Sequence, residues 1–322
     1  MKQAAQNYVR STRLTDILDL QRIARGVNMD IMQLDRGAFE SDVSQLKVRN
    51  VLASLITSNR RLRLQGNVNF LTVSFLTGQS GSPKWRGTLV ASRDVVAANS
   101  NETFDLVVPP GLEAYCVSVV GTAEATLRNL GGPVLAGKLA RTAGPITCAP
   151  NAVQEICRWF AEQFDGFERD TDIDNGPALL LEKEFLRRLA ACMRAGTLSG
   201  HQESMASGRL DVVRRVEQHL LDDLATPQTV DAFCCIADTS RRTLEYSFRD
   251  YFGTSPKRFI KALKLNAARN DLLAGCHGSE QVVEIASGLG FTHMGQFSTD
   301  YRRMFGEKPS ETLRRTPSHI GA

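Results

Sequence analysis

The sequence predicts an α+β chain: a small β-barrel or sandwich with accessory helices, then an all-α region built from two helix-turn-helix units. Three observations carry that prediction. Between about residues 34 and 120, short apolar runs alternate with turn residues, as in all-β domains. Beyond residue 150 the apolar side chains recur at i, i+4 and i+8, the spacing of helices that bury one face. Towards the C-terminus, the punctuation that starts at Phe233 returns at Ile285, an offset of 52 residues that becomes 53 after one extra residue in the second turn.

A chain of 322 residues has room for two or three domains. With 42% hydrophobic and 23% charged residues it has the apolar mass for sizeable cores, which excludes disorder throughout. No apolar run approaches the roughly 18 residues of a membrane span, and residues 1–14 are polar, with no secretory h-region. The seven cysteines (Cys116, Cys148, Cys157, Cys192, Cys234, Cys235 and Cys276) are odd in number and scattered, the usage of buried free thiols in a reducing compartment. A cytoplasmic protein with no membrane partner is expected. A net charge of +4 is small for a general polyanion binder, so nucleic-acid contact has to come from local pattern.

In chain order, residues 51–57, 62–64, 70–76, 87–90, 94–97, 104–108 and 115–120 read as strands, separated by turn-formers at 65–67, 78–83, 99–101 and 109–111. Leu55, Phe70, Val73, Phe75, Trp85, Phe104 and Tyr115 are the expected inward residues. Helices follow at 152–164, where Ile156, Phe160 and Phe164 share a face, and at 177–194, where Leu181, Phe185, Leu189 and Cys192 form a stripe. That stripe suits either the chain's own barrel or a twin in a dimer. Residues 197–208 (TLSGHQESMASG) are small, polar and Gly/Ser-rich, and read as a linker. Seven helices then read at 210–224, 230–236, 241–251, 256–273, 280–289, 294–304 and 309–314.

Each repeat is a short helix with a small side chain (Cys234, Ala286), a tight turn (Asp238, Gly290) and a second amphipathic helix. The small residue allows a close helix crossing, and the turn residue has to accept positive φ, which glycine does freely and aspartate less well. Such geometry offers the outer face of its second helix to a DNA major groove.

Residues 209–315 closely resemble the double helix-turn-helix DNA-binding domain of the AraC/XylS family of bacterial transcription regulators. The resemblance lies above all in Ile285-Ala286-Ser287-Gly288-Leu289-Gly290-Phe291, then in Phe297, Tyr301, Phe305-Gly306, Pro309 and Leu313-Arg314. Gly290-Phe291-Thr292-His293 and residues 309–314 (PSETLR) resemble the XylS side of the family. Asp238 and Phe233-Cys234 depart from the Gly and the Leu-Ala that are common there. More loosely, the first 150 residues resemble the cupin-like sensor and dimerisation domains that precede this domain in many members.

The resemblance implies a cupin-like sensor and dimerisation domain over 1–148, a helical connector with possible dimer helices over 149–196, a linker over 197–208 and a DNA-binding domain over 209–318. It implies a sequence-specific transcription regulator, an activator in the first instance. Its partners would be double-stranded DNA, a second copy of the chain, a small-molecule effector of unknown identity and, by resemblance alone, RNA polymerase. Two alternatives stay open at this point: an N-terminal domain that binds another protein, and a cupin enzyme fused to a DNA-targeting tail.

Within the repeats the spacing assigns a role to each side chain. Ser240 is placed to cap the first reading helix, and Leu244, Phe248 and Phe252 form its buried stripe. The opposite face carries Arg242 for guanine O6/N7, Glu245 for a cytosine amino group and Tyr246 for a base edge. Arg241 and Arg249 are placed for phosphate, which positions without specifying. In the second helix Phe297 and Tyr301 face inward and His293, Met294, Gln296 and Thr299 outward. Gln296 suits adenine N6/N7 and Thr299 a thymine methyl or a phosphate, with Arg302 and Arg303 following as phosphate clamps. Lys257, Lys261 and Lys264, on the helix between the repeats, read as solvated, with proximity to backbone phosphates as the alternative. Residues 209–315 hold 16 Lys+Arg against 14 Asp+Glu, so the binding face depends on segregation of charge.

Other signals point to ordinary structure. Residues 132–138 (GPVLAGK) satisfy GxxxxGK, but Leu139 follows where a phosphate-binding loop needs a hydroxyl, and a turn is expected. No histidine precedes His201, so the β-region has no imidazole for a metal site, and His201, His219, His277, His293 and His319 share no ligand spacing. Cys234-Cys235 lacks the gap of a CxxC site and is expected to be buried. Neither a catalytic constellation nor a cofactor is predicted.

Overall fold

The computed structural model describes residues 7–24, 26–78, 81–100, 102–140, 145–168, 170–198, 203–226, 229–274 and 279–315. Residues 199–202 of the expected linker, with His201, Cys276, His277 and His319, lie outside the described residues. The chain divides into two compact units. Met1–Ile31, Glu40–Asn59 and Leu64–His201 make the first; Met32–Phe39, Arg60–Arg63 and Gln202–Ala322 make the second.

The N-terminal part of the chain runs β1 (Tyr8–Leu14), α1 (Ile17–Ile23), β2 (Val27–Gln33), β3 (Ser41–Val48), β4 (Val51–Ser58), β5 (Leu62–Val68) and β6 (Leu71–Thr77). It continues through β7 (Lys84–Trp85), β8 (Thr88–Leu89), β9 (Asp94–Ala98), β10 (Thr103–Val108) and β11 (Leu112–Val119). Last come α2 (Thr122–Leu139), β12 (Ile146–Thr147), α3 (Pro150–Asp165), α4 (Asn175–Arg194) and β13 (Thr197–Leu198). The strands divide between two sheets instead of closing into one barrel: β1-β3-β4-β11-β6-β9-β12-β13 and β2-β5-β10-β7-β8. Every neighbouring pair of the larger sheet is antiparallel.

Register explains which side chains the larger sheet buries. Tyr115 of β11 lies between Leu55 of β4 and Phe75 of β6, and Val117 between Ala53 and Val73. Residues two apart thus share a face, and aromatic and β-branched side chains stack across three strands. Of the seven expected inward residues, Val73, Phe75, Trp85 and Tyr115 are buried, whereas Leu55, Phe70 and Phe104 are half-buried.

The α3 and α4 stripes pack on this same core. The Phe160 ring lies 6.1 Å from Phe75, 6.2 Å from Tyr115 and 5.0 Å from Phe185. Of the two destinations open to the second stripe, the chain's own sheet receives Phe185, Leu189 and Cys192. The GxxxxGK segment is no simple turn but lies in α2, which is kinked at Gly132 (φ 68°) with Pro133 behind it. Both residues disfavour continuous helix, and only Gly accepts that φ cheaply.

The second unit contains α5 (Glu203–Asp222), α6 (Val230–Ile236), α7 (Arg241–Phe252), α8 (Pro256–Ala274), α9 (Ser279–Gly288), α10 (Met294–Phe305) and α11 (Pro309–Leu313). The linker expected over 197–208 is therefore corrected. Thr197 and Leu198 pair with β12, and α5 starts at Glu203, earlier than the Gly/Ser content suggests. Once α5 is nucleated by its apolar stripe, adding residues costs little, so it extends through a weakly helical stretch.

Candidate nucleic-acid interface

Each helix-turn-helix is built from local signals. In the first, Thr229 caps α6 by accepting from Ala232 N at 3.2 Å, and Ser240 caps α7 by accepting from Thr243 N at 3.2 Å. Between them the turn closes with Thr239 N→Cys234 O at 2.9 Å. The second turn closes at the repeat-equivalent atoms, Phe291 N→Ala286 O at 3.0 Å. The turn residues have the required handedness: Asp238 has φ 48° and Gly290 φ 77°. At Gly290 a Cβ would stand 2.0 Å from the carbonyl oxygen of Ala225, so space as well as φ demands glycine. At Asp238 the short polar side chain tolerates the left-handed region.

Buried stripes fix both second helices. Leu244, Phe248 and Phe252 of α7 are fully buried, as are Phe297 and Tyr301 of α10. Phe252 lies 4.0 Å from Phe259 of α8, nearly parallel, and Tyr301 donates to Thr312 Oγ1 of α11 at 2.9 Å. Burial pushes the Tyr301 hydroxyl up to about 12, so it stays protonated. Each helix ends on a left-handed glycine, Gly253 or Gly306. Both are closely covered: the Arg61 guanidinium comes within 2.2 Å, and the Ala38 methyl within 2.8 Å, of where a Cβ would stand.

The opposite faces remain open. On α7, Arg241, Arg242, Tyr246 and Arg249 are exposed and Glu245 is half-buried. The Arg242 guanidinium lies over the Tyr246 ring at 5.5 Å, and Arg249 approaches Glu245 at 3.6 Å, each pair one turn apart. The expected reading and phosphate residues of α7 therefore lie side by side. On α10, Gln296, Thr299, Arg302 and Arg303 are exposed.

Three expectations are corrected here. Met294 does not point wholly outward; it is half-buried and packs, with its flexible thioether, against the hydrophobic core of the second repeat. Lys261 is not solely a solvated cation; its side chain is partly exposed, but its ammonium donates to Asp300 on α10 at 2.7 Å. Cys234 is half-buried and Cys235 exposed, because Phe233 fills the buried position of α6.

Sequence reasoning missed the polar layer under α10. Asp300 is buried and accepts from Lys261 and, at 2.9 Å, from Gln296 Nε2. Burial by itself raises the Asp300 carboxyl, but the two hydrogen bonds and the Lys261 charge outweigh it, leaving the pKa below its ordinary value. The signal available was the i, i+4 spacing of Gln296 and Asp300. Gln33 and Asn266 form a second missed pair within this unit: Asn266 accepts from Gln33 N at 3.0 Å and donates to Gln33 O at 2.9 Å. Among the described residues, no group of three or more His, Cys, Asp or Glu side chains is gathered as a metal would require. Nor is any helix among them long and apolar enough to cross a membrane.

Two capped, aromatic-anchored helix-turn-helix repeats, joined by the single helix α8, define a double helix-turn-helix protein. Residues 233–315 match the family model described as a helix-turn-helix domain, and the chain belongs to the AraC/XylS family of bacterial transcription regulators. It is 32% identical over 152 residues to the "Probable thc operon regulatory protein" of Rhodococcus erythropolis, covering 45% of this chain and 46% of that one. It is 34% identical over 106 residues to the "XylDLEGF operon transcriptional activator" of Pseudomonas putida, covering 33% of each. The chain thus spans less than half the length of these relatives. A solved probable AraC family transcriptional regulator from Rhodopseudomonas palustris is 37% identical over 33% of this chain and 96% of its own, with a TM-score of 0.30.

Proposed function

We propose that this chain is a sequence-specific transcription activator of the cytoplasm, with no catalytic step of its own, that reads double-stranded DNA with α7 and α10. One observation carries the reading: both helices bury an aromatic stripe and leave a basic, hydrogen-bonding face exposed, each behind a turn of positive φ. Arg242, Glu245 and Tyr246 are the readers on α7, Gln296 and Thr299 those on α10, with Met294 contributing at its edge. Arg241, Arg249, Arg302 and Arg303 take phosphates. The 19 residues of α8 span about 28 Å, the order of the roughly 34 Å between successive major grooves on one face of a duplex.

The first compact unit is the sensor and dimerisation part in this reading, with a small molecule as effector and RNA polymerase as the downstream partner. Exposed Leu130 and Val134 on α2 and Leu180 on α4, helices that pack on each other, support pairing with a second copy.

The test is selection from random duplexes, footprinting of the winners, and binding at rising salt. Two protected half-sites about one helical turn apart are expected, with affinity falling steeply as salt rises. Binding that is indifferent to salt, or shows no sequence preference, overturns the reading.

A further inference from the structure

The internal repeat extends further than its helix-turn-helix punctuation. Val213, Val216 and Leu220 of α5 are buried, and 52 residues on, so are Leu265, Ala268 and Leu272 of α8. Each repeat is therefore three helices, α5-α6-α7 and α8-α9-α10, in a common register. That register pairs Glu217 of α5 with Arg269 of α8 and Phe252 with Phe305.

At these positions the repeats share a structure but not its source. In the second repeat the Arg269 guanidinium lies over the Phe305 ring at 4.9 Å and is paired with Glu307, the residue after the Gly306 cap. In the first repeat a guanidinium also lies over the equivalent Phe252 ring at 4.9 Å, and it belongs to Arg63. Here α5 offers a carboxylate, Glu217, where α8 offers the arginine, and Thr254 stands where the second repeat has Glu307. The first repeat thus has no cation of its own at this point. Arg63, in the Arg60–Arg63 stretch of the second compact unit, supplies it. Its side chain is 3% exposed, is paired with Glu217 through both guanidinium Nη atoms (Nη2 to Oε2 at 2.9 Å), and lies 5.9 Å from the Tyr251 ring.

We propose that Arg63 is a positioning residue for the first reading helix: its guanidinium, held between Glu217 of α5 and the Phe252 ring of α7, sets the angle at which α7 presents Arg242, Glu245 and Tyr246. The inference rests on the reading that α7 and α10 contact DNA. Phe252 ends α7 and packs on Phe248 and Phe259, so a cation pinning that ring to α5 fixes the helix at its C-terminal turn. Cation–π contact and a two-point carboxylate pair are both geometrically demanding, which suits arginine and not lysine.

The experiment uses the full chain carrying Arg63→Met, with Arg269→Met as its counterpart. Affinities are measured on the selected duplex and on duplexes altered at single base pairs. For Arg63→Met, discrimination in the half-site read by α7 should fall roughly tenfold, the scale of one bidentate base contact. The half-site of α10 should keep its discrimination, and Arg63→Lys should restore only part of the loss. Arg269→Met should give the mirror image. Equal loss in both half-sites, or no loss in either, overturns the proposal.

Amide hydrogen exchange supplies a readout without DNA. Arg63→Met should speed exchange in α7 and leave α10 unchanged; unchanged α7 overturns the proposal even if the DNA reading itself has failed. Should Arg63→Met not fold, Arg63→Met with Glu217→Gln leaves no unpaired buried carboxylate and carries the same comparison.

Discussion

Gln296 donates its side-chain amide to Asp300 one turn further along α10, at 2.9 Å, and the same carboxylate accepts from Lys261 of α8. An exposed base-reading candidate is thereby tied to an ion pair whose carboxylate is buried. One amide N–H is held while the other N–H and the oxygen are left for an adenine edge, so the side chain is oriented before any DNA arrives. Orientation in advance lowers the entropy lost on binding.

Gln296→Ala should therefore cost about 1–3 kcal/mol at one base-pair position. Asp300→Ala should weaken discrimination at that same position and spare the others. Binding to duplexes substituted one base pair at a time checks both, and loss spread over the whole site would show that α10 is not held this way.

Asp300 also predicts a pH dependence. Its pKa is lowered in the folded chain, so its contribution to stability is present above the unfolded carboxyl's pKa and is lost as pH falls through the depressed folded value. Asp300→Asn should be less stable than the parent at neutral pH, with the difference closing in acid below the ordinary carboxylate range. Denaturant melts across that range measure it; a gap independent of pH would sink the assignment.

Arg242 and Arg302 should separate reading from holding. Arg242→Ala is expected to cost about 1–3 kcal/mol and to relax preference at one base pair. Arg302→Ala should weaken all duplexes alike and lower the salt slope by about one. Salt titrations of both variants on specific and random DNA distinguish the two behaviours.

The two turns should respond differently to substitution. Gly290→Ala places a Cβ against the Ala225 carbonyl in a left-handed residue, and a loss of about 2 kcal/mol or more is expected. Asp238→Gly relieves a side chain from the same region and should change stability by no more than about 1 kcal/mol. Chemical denaturation of the two variants tests the contrast.

The helices from Val230 onward were legible almost residue by residue, because Ser240, Pro256, Gly253, Gly306 and Pro309 punctuate them locally and the stripes have helical period. The N-terminal strands were legible only in part. Residues 8–33 gave no strong alternation: β1 is an edge strand with Arg10 and Arg13 on it, and β2 exposes Asn28 and Asp30. Kinked α2 read as a turn because Gly132 and Pro133 are turn-formers. At the candidate site, exposure of the arginines followed from helical spacing. The partners of Lys261, Gln33 and Arg63 did not, since each is set by chain that is distant in sequence and polar in character.

That distance has a kinetic side. Arg269 and Glu307 are 38 residues apart, Arg63 and Glu217 154. Closing the longer loop costs about 1 kcal/mol more in chain entropy. Two halves with one repeated pattern are thus expected to mature in sequence, α8-α9-α10 first, while α5-α6-α7 waits for the start of the polypeptide to come back to it.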